Sequence, residues 1–320
     1  MITLTEANKN TMTTFDNVCG RIEALSRDCY DEMIPAKDIS FNHLQSVKIG
    51  SEAHYLRPAA QMEIAFRLGI PLHYLRRCPQ SVQAYNMNHW IKEEKNEHLF
   101  FRFDANDVRA IFTPRYKPVD NFEIVEKLRD MGYKDKTQVQ CHLDSEFMLL
   151  NIPDGTRSFE ICKGDTMTPG LSISNSEVGL ASVSIAAYIL RLICTNGMIA
   201  ASRLSGKSYR HVSRRILDEF PETIMKYADG IDEQKDLLRF SIESLIDDPL
   251  ASIEKFNRQF QLSEEEVKAV EWAWPYETGP ALFHIVQTYT RAAQYEGLSA
   301  ESSYGLQRVG GLILGMVSKN

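Results

Sequence analysis

QVQCHLDSEFMLLNI, residues 138–152, is the stretch on which the fold turns. Two largely apolar runs, 138–143 and 147–152, flank Asp144, Ser145 and Glu146, residues suited to a tight turn, so the stretch predicts a β-hairpin. Downstream, GLSIS (170–174) and GLASVSIAAYILRLI (179–193) face each other across residues 175–179 and predict another. Upstream, LFFRF (99–103) and VRAIF (108–112) flank Ala105, Asn106 and Asp107 as a third. Between them NFEIVEKLRDMG (121–132) reads as a helix, with Asp120 and Glu123 as its capping box and Gly132 as its stop.

Consecutive hairpins with helices segregated before, between and after them indicate an α+β fold with a central antiparallel, hairpin-rich sheet. A doubly wound fold would instead alternate strand and helix throughout. Working outward, residues 14–33 carry helical apolar spacing at Phe15, Val18, Ile22 and Leu25. Residues 58–68 read as a helix stopped by Gly69, Pro71 opens a short one, and Ser81 caps another running to residue 95. Beyond Tyr209 the pattern is helical, with breaks expected at Pro221, 247–249, 274–280 and Gly297. The expected organisation is a helical region at 1–98, an antiparallel α+β core at 99–215 and a helical third at 216–320, as separate units or one continuous domain.

The chain has 320 residues, 43% hydrophobic and 25% charged, enough for one large core or two ordinary ones. Residues 1–10 lack the basic and apolar regions of a secretory signal, and no apolar run reaches the ~18 residues of a membrane span. A cytoplasmic protein without membrane association is expected. Six cysteines without a CxxC pair point to reduced thiols rather than zinc or disulfides. The net charge is −7, and its distribution is uneven. Lys and Arg number 27 against 25 Asp and Glu over residues 1–215, and 6 against 16 over 216–277. Residues 203–215 hold Arg203, Lys207, Arg210, Arg214 and Arg215 with His211 and no carboxylate. That is either a phosphate-binding footprint or a solvated basic face.

AxxxxGKS at 201–208 satisfies a relaxed phosphate-loop pattern, in which backbone N–H groups and a lysine hold phosphates. The sequence after residue 216 offers none of the parallel strands such a core needs, so Lys207 reads as a cation on a loop. PDGTRSFEICK (153–163) places Asp154, Glu160 and Lys163 in the order used by many Mg²⁺-dependent nucleases, where carboxylates hold the metal and lysine approaches the scissile phosphate. An ordinary turn at the end of a strand explains the same residues. Cys141 beside His142 on a strand points to the opposite face, and Cys194 beside a TNG turn reads as a small core residue. No other metal or cofactor is expected.

Five ordered blocks carry a resemblance: RLGIPLHYLRRCP (67–79), NHW (88–90), VRAIFTPRYKPVDN (108–121), PGLSISNSEVG (169–179) and RLICTNGM (191–198). Over most of its length the chain resembles the phage and plasmid family known as domain of unknown function 932. The resemblance implies a bacterial mobile genetic element and leaves the biochemistry open. Arg102, Arg109, Arg115 and Lys117 cluster with Tyr116 around one predicted hairpin, a composition that suits base stacking with phosphate contacts. Asn175, Ser176 and Glu177 mark a turn, and Arg191 needs a partner such as Glu177 if it faces the core.

The leading expectation is therefore a non-enzymatic DNA-processing accessory that binds or anneals single-stranded DNA. In it Arg102, Arg109, Arg115, Lys117, Lys207, Arg210 and Arg214 hold phosphates, Tyr116 stacks, and homo-oligomers form on DNA. One alternative is a factor that binds a host or phage protein to inhibit or redirect defence or replication, with Trp272, Trp274 and Tyr276 exposed. The other is the Mg²⁺-dependent nuclease of Asp154, Glu160 and Lys163.

Overall fold

A computed structural model describes residues 12–191, 196–199, 206–209, 211, 215–229 and 231–316. In chain order the elements are β1 Met12–Thr14, α1 Phe15–Ser26, β2 Cys29–Pro35, β3 Ile39–His43, β4 Ser46–Ile49, β5 Glu52–Leu56, α2 Pro58–Arg67, α3 Leu72–Arg77 and α4 Gln80–Ile91. There follow β6 His98–Asp104, β7 Asp107–Phe112, α5 Asn121–Asp130, β8 Gln138–Leu143, β9 Met148–Pro153, β10 Phe159–Cys162, β11 Asp165–Asn175, β12 Val183–Arg191, β13 Asn196–Ile199 and β14 Gly206–Tyr209. Helices complete the described chain: α6 Arg215–Asp229, α7 Ile231–Glu243, α8 Pro249–Gln259, α9 Glu264–Glu277, α10 Leu282–Ala292 and α11 Ala300–Leu314. The fold is α+β with a helical C-terminal third.

Two sheets organise these elements. The eight-stranded antiparallel sheet runs β1-β8-β9-β11-β12-β13, with β10 on β11 and β14 on β12. The second has six strands in the order β2-β6-β7-β5-β4-β3, with only β5 and β7 parallel. The 138–152 stretch forms its hairpin because the Asp144 carboxylate accepts the N–H groups of Glu146 and Phe147, both at 2.8 Å, turning the chain. Strand alternation then splits β8. Val139, Cys141 and Leu143 enter a core with α1, α5 and α6, while Gln140 and His142 face the other way. Beyond that second face lies α11, which sends Ala300 and Tyr304 into a small cluster with Phe147, Leu149 and Tyr188.

The helical reading of 1–98 is corrected at residues 29–56, which form four strands. Apolar spacing continued past Leu25 into Tyr30 and Met33, but the helix ends at Ser26 and both side chains are exposed on β2. The pairing that makes β2 a strand comes from β6, some 70 residues away, where tertiary pairing overrides local pattern. The hairpin at 99–112 consequently belongs to this six-stranded sheet rather than the central one. Pro221 and Pro275, expected to break helices, lie inside α6 and α9. The strand β14 also changes the reading of GKS. Its backbone pairs antiparallel with β12, Ile185 opposite Lys207 and Ser184 opposite Ser208. Phosphate-loop geometry requires free N–H groups curling into a helix, and a strand ladder is a different structure.

Candidate functional site

The two sheets meet at the turn after β11. Asn175 is fully buried and donates from Nδ2 to the Val119 carbonyl and to Asn121 Oδ1, each at 2.9 Å. Ser176 donates to the Glu146 carbonyl at 2.8 Å and accepts from Leu180 N–H at 3.1 Å. Glu177 turns the other way: its carboxylate accepts from Asn121 N–H at 2.7 Å and pairs with Arg109. Gly179 closes the turn at φ +87°, and a Cβ there would stand 2.7 Å from the Phe112 ring. Ser176 combines a local turn bond to Leu180 with a link to Glu146, 30 residues away, and Asn175 and Glu177 bridge to segments more than 50 residues away.

Arg102 and Arg109 complete this junction from the six-stranded sheet. Arg102 is 4% exposed and donates to Asp31 Oδ1 at 2.9 Å, Asp120 Oδ1 at 2.6 Å and the Glu177 carbonyl at 3.0 Å. Burial pulls its guanidinium down, and the carboxylates of Asp120 and Asp31 more than offset that, holding it above its ordinary value. Arg109 is 5% exposed; beyond Glu177 it reaches only the Cys29 sulfur, at 2.8 Å, and its Nε has no partner. Tyr116 donates to the Glu177 carbonyl at 3.3 Å and stacks on Phe112 at 3.9 Å and on His211 at 5.3 Å. Burial pushes its hydroxyl upward.

Three of the expected nucleic-acid contacts are corrected here. Arg102 and Arg109 are enclosed and spent on carboxylates, so neither reaches a phosphate, and Tyr116 has its ring covered by Phe112 and His211. An arginine in a half-apolar strand looks alike in sequence whether it faces water or a buried carboxylate. Arg191 is corrected as well. Its partners are Asp165, at 2.8 Å, and Glu277 of α9, at 2.8 Å, while Glu277 also accepts from Arg291 at 2.6 Å. That chain of charges ties β11 and β12 to α9 and α10.

Arg115 and Lys117 flank the buried Tyr116 and are exposed. Lys117 N–H donates to the His211 carbonyl at 2.8 Å, so the 115–117 loop is fastened to the basic 203–215 segment. Of that segment, Lys207 is placed as a backbone position in β14, whereas Arg210 and Arg214 lie outside the described residues, as does Cys194.

The blocks 108–121 and 169–179 thus converge: Arg109, Tyr116, Asp120 and Asn121 from one, and Asn175, Ser176, Glu177 and Gly179 from the other. A family model described as Domain of unknown function (DUF932) matches residues 109–274. The chain belongs to that family. The match takes in the junction from Arg109 onward, the Arg191 block and the helices from α5 into α9, and it leaves out Asp31, Arg102 and the blocks at 67–79 and 88–90. No curated protein and no solved structure matches the chain.

The nuclease residues are arranged as a turn. Asp154 accepts from Thr156 N–H at 3.0 Å and Thr156 Oγ1 at 2.6 Å, capping a short 3₁₀ turn, while Glu160 and Lys163 are exposed. Among the described residues no group of three His, Cys, Asp or Glu could hold a metal ion. Cys141 is buried, its thiol pushed up to about 12 by desolvation, which suits a core residue and not a nucleophile. Among the described residues no helix is long and apolar enough to cross a membrane.

Sequence reasoning missed one surface feature. Phe66 at the end of α2 is 85% exposed and Trp90 at the end of α4 is 47% exposed, and both line an open hollow of about 540 Å³. A contiguous groove of about 980 Å³ shares Glu94, Lys95 and Asn96 with it and adds Lys37 and Lys92. On the adjoining face of α4, Tyr85 is 72% exposed and stacks on His89, which meets Trp90 edge-on at 5.0 Å. The available signal was the pair of blocks at 67–79 and 88–90, whose aromatic and basic residues do not follow an amphipathic helix pattern.

Proposed function

We propose that the protein is a non-enzymatic accessory of a bacterial mobile genetic element that binds single-stranded DNA from the cytoplasm. The observation that carries this reading is the fastening of two basic segments to one another. Arg115 and Lys117, both exposed, are held against the 203–215 segment by the Lys117 to His211 hydrogen bond and the Tyr116 to His211 stack. The exposed cations Arg115 and Lys117 therefore lie beside His211, nearly a hundred residues away in the chain, and in sequence the 203–215 segment around His211 carries five Lys and Arg and no carboxylate. A polyanion gains most from such a place, since each neutralised phosphate releases condensed counterions.

The buried arginines support the reading indirectly. By tying the sheets together they hold the turn at 113–118 in one position, so the exposed cations beside it are presented without a large ordering cost. The test is the affinity of a labelled oligo-dT for the wild-type chain and for Arg115→Glu with Lys117→Glu, measured across salt. The substituted chain should bind more weakly and lose about two phosphate contacts from its salt slope. Equal affinity at every salt concentration refutes the reading. A protein-binding role has one observation in its favour: Trp272 and Tyr276 pack on each other at 5.6 Å and are 37% and 62% exposed on the acidic helix α9.

A further inference from the structure

We propose that the paired hollows formed by α2 and α4 are a base-stacking track for single-stranded nucleic acid. The proposal rests on the function above and says where the bases go, which the Arg115–Lys117 edge leaves open because Tyr116 between the two cations is enclosed.

Three features of the surface argue for it. Water-exposed Phe and Trp cost solvation free energy, and Phe66 at 85% exposure with Trp90 at 47%, on two elements lining one hollow, form a pair rather than scattered apolar residues. The adjoining groove is lined by Lys37, Lys92 and Lys95. In that groove Glu97 is exposed, while Glu94 is committed to Arg67 at 3.3 Å and to Asn96 at 2.7 Å; Glu63 and Glu93 line the aromatic hollow itself, so the phosphates would follow the lysine-lined groove and only the bases would enter the hollow. Aromatic faces next to a cationic groove are the composition that binds single strands without sequence preference, since every base offers a π-face and every nucleotide a phosphate. Tyr85 and His89 extend the aromatic row along α4 away from the hollow. The size also fits, the hollow of about 540 Å³ being in the range that takes a small aromatic ligand.

A duplex hides its base faces, so the track selects single strands. Stacking releases no counterions, so its share of the affinity is insensitive to salt, in contrast to the Arg115–Lys117 edge.

The experiment uses the full chain. Oligo-dT and an abasic oligomer of equal length are titrated while tryptophan emission is followed, the three tryptophans being Trp90, Trp272 and Trp274. Oligo-dT is expected to quench emission, the abasic oligomer to quench little, and Trp90→Phe to remove the quench while retaining affinity. Phe66→Ala with Trp90→Ala is expected to weaken oligo-dT binding about ten-fold or more, with the salt slope unchanged. Equal affinity for the two oligomers, or quenching that persists in Trp90→Phe, overturns the track even if binding through Arg115 and Lys117 holds. Absence of any oligomer binding overturns both readings together. A hollow that instead joins two copies of this chain would show as a concentration-dependent dimer lost in the double variant, with oligomer binding unaffected, and that outcome overturns the track as well. The quench and the abasic comparison are made on the unsubstituted chain, so they decide the matter even if the double alanine variant folds poorly.

Discussion

Replacing Glu177 by alanine tests the junction most directly. Arg109 is 5% exposed and its remaining contacts are one sulfur and an unpartnered Nε, so Glu177 is its main counter-charge. Burial lowers the guanidinium's affinity for its proton, and Glu177 restores it above the ordinary value. Removing one member of such a pair leaves a buried uncompensated charge, a cost of about 3–5 kcal/mol. The Asn121 N–H also loses its acceptor, worth about 1 kcal/mol. Glu177→Ala should therefore cost roughly 4–6 kcal/mol, against a total stability of about 5–15 kcal/mol for most domains. Glu177→Gln keeps an oxygen for Asn121 and should cost less. Arg109→Met combined with Glu177→Met removes both charges and should cost at least ~2 kcal/mol less than Glu177→Ala alone. Urea denaturation followed by far-UV dichroism and by tryptophan emission gives the midpoints and shows whether the two probes still coincide. A loss under about 1 kcal/mol for Glu177→Ala, or strict additivity in the double variant, would mean that Arg109 finds solvent or another anion and that the junction is not held as described.

The remaining predictions concern packing and charge elsewhere. Gly170→Ala places a Cβ 2.2 Å from the Ile152 carbonyl oxygen, a backbone atom that cannot swing away, so β9 and β11 must separate; a loss of about 1–3 kcal/mol in urea midpoint is expected, and an unchanged midpoint refutes it. Arg191→Met strips Asp165 and Glu277 of their shared cation and should loosen α9 and α10 first, visible as hydrogen exchange rising there before it rises in β8 and β9. His142 is buried with neither ring nitrogen partnered, and desolvation pulls it from 6.5 down to about 4. The unfolded chain therefore takes up the proton first as pH falls. Stability present above pH ~6.5 is lost towards pH ~4, on the order of 3 kcal/mol, and His142→Leu should flatten that acid limb in denaturation midpoints.

The parts of the fold legible in sequence are those whose signal is local. The hairpin at 138–152 announces itself by alternation around Asp144, and α5 by Asp120, Glu123 and Gly132, where the Glu123 carboxylate does accept the Asp120 N–H at 3.1 Å. Apart from its hairpin at 99–112, the six-stranded sheet was opaque for the opposite reason. Its edge strand β2 carries Asp31, Glu32 and Met33 exposed in succession, so it lacks the alternating pattern that sequence reading relies on, and in β5 the buried positions are His54 and Leu56, a polar residue standing where an apolar one is looked for. The site was legible as a set of residues and illegible as an arrangement. Composition singled out Arg102, Arg109, Arg115, Tyr116 and Lys117, but which of the five face water depends on where Asp31, Asp120 and Glu177 arrive, and Asp31 and Glu177 come from distant parts of the chain.

That division of labour bears on how the surface works. Alternation along β7 sends Arg109 inward with its neighbours buried on both sides, whereas the turn after it exposes Arg115 and Lys117 on either side of an inward-facing Tyr116. The inward cations fix geometry at the cost of desolvation that only a matched carboxylate offsets. Their outward neighbours stay solvated and keep their full charge available. An exposed lysine on a mobile loop would lose side-chain and backbone entropy on meeting a phosphate, but one beside Tyr116, whose ring is stacked on two sides and whose hydroxyl is hydrogen-bonded, has its backbone ordered already. On the proposed DNA-binding role the buried network and the exposed cations work together: disturbing Glu177 should weaken oligomer binding as well as stability, and should do so by loosening the 113–118 turn rather than by removing an exposed cation, leaving the salt slope as it was.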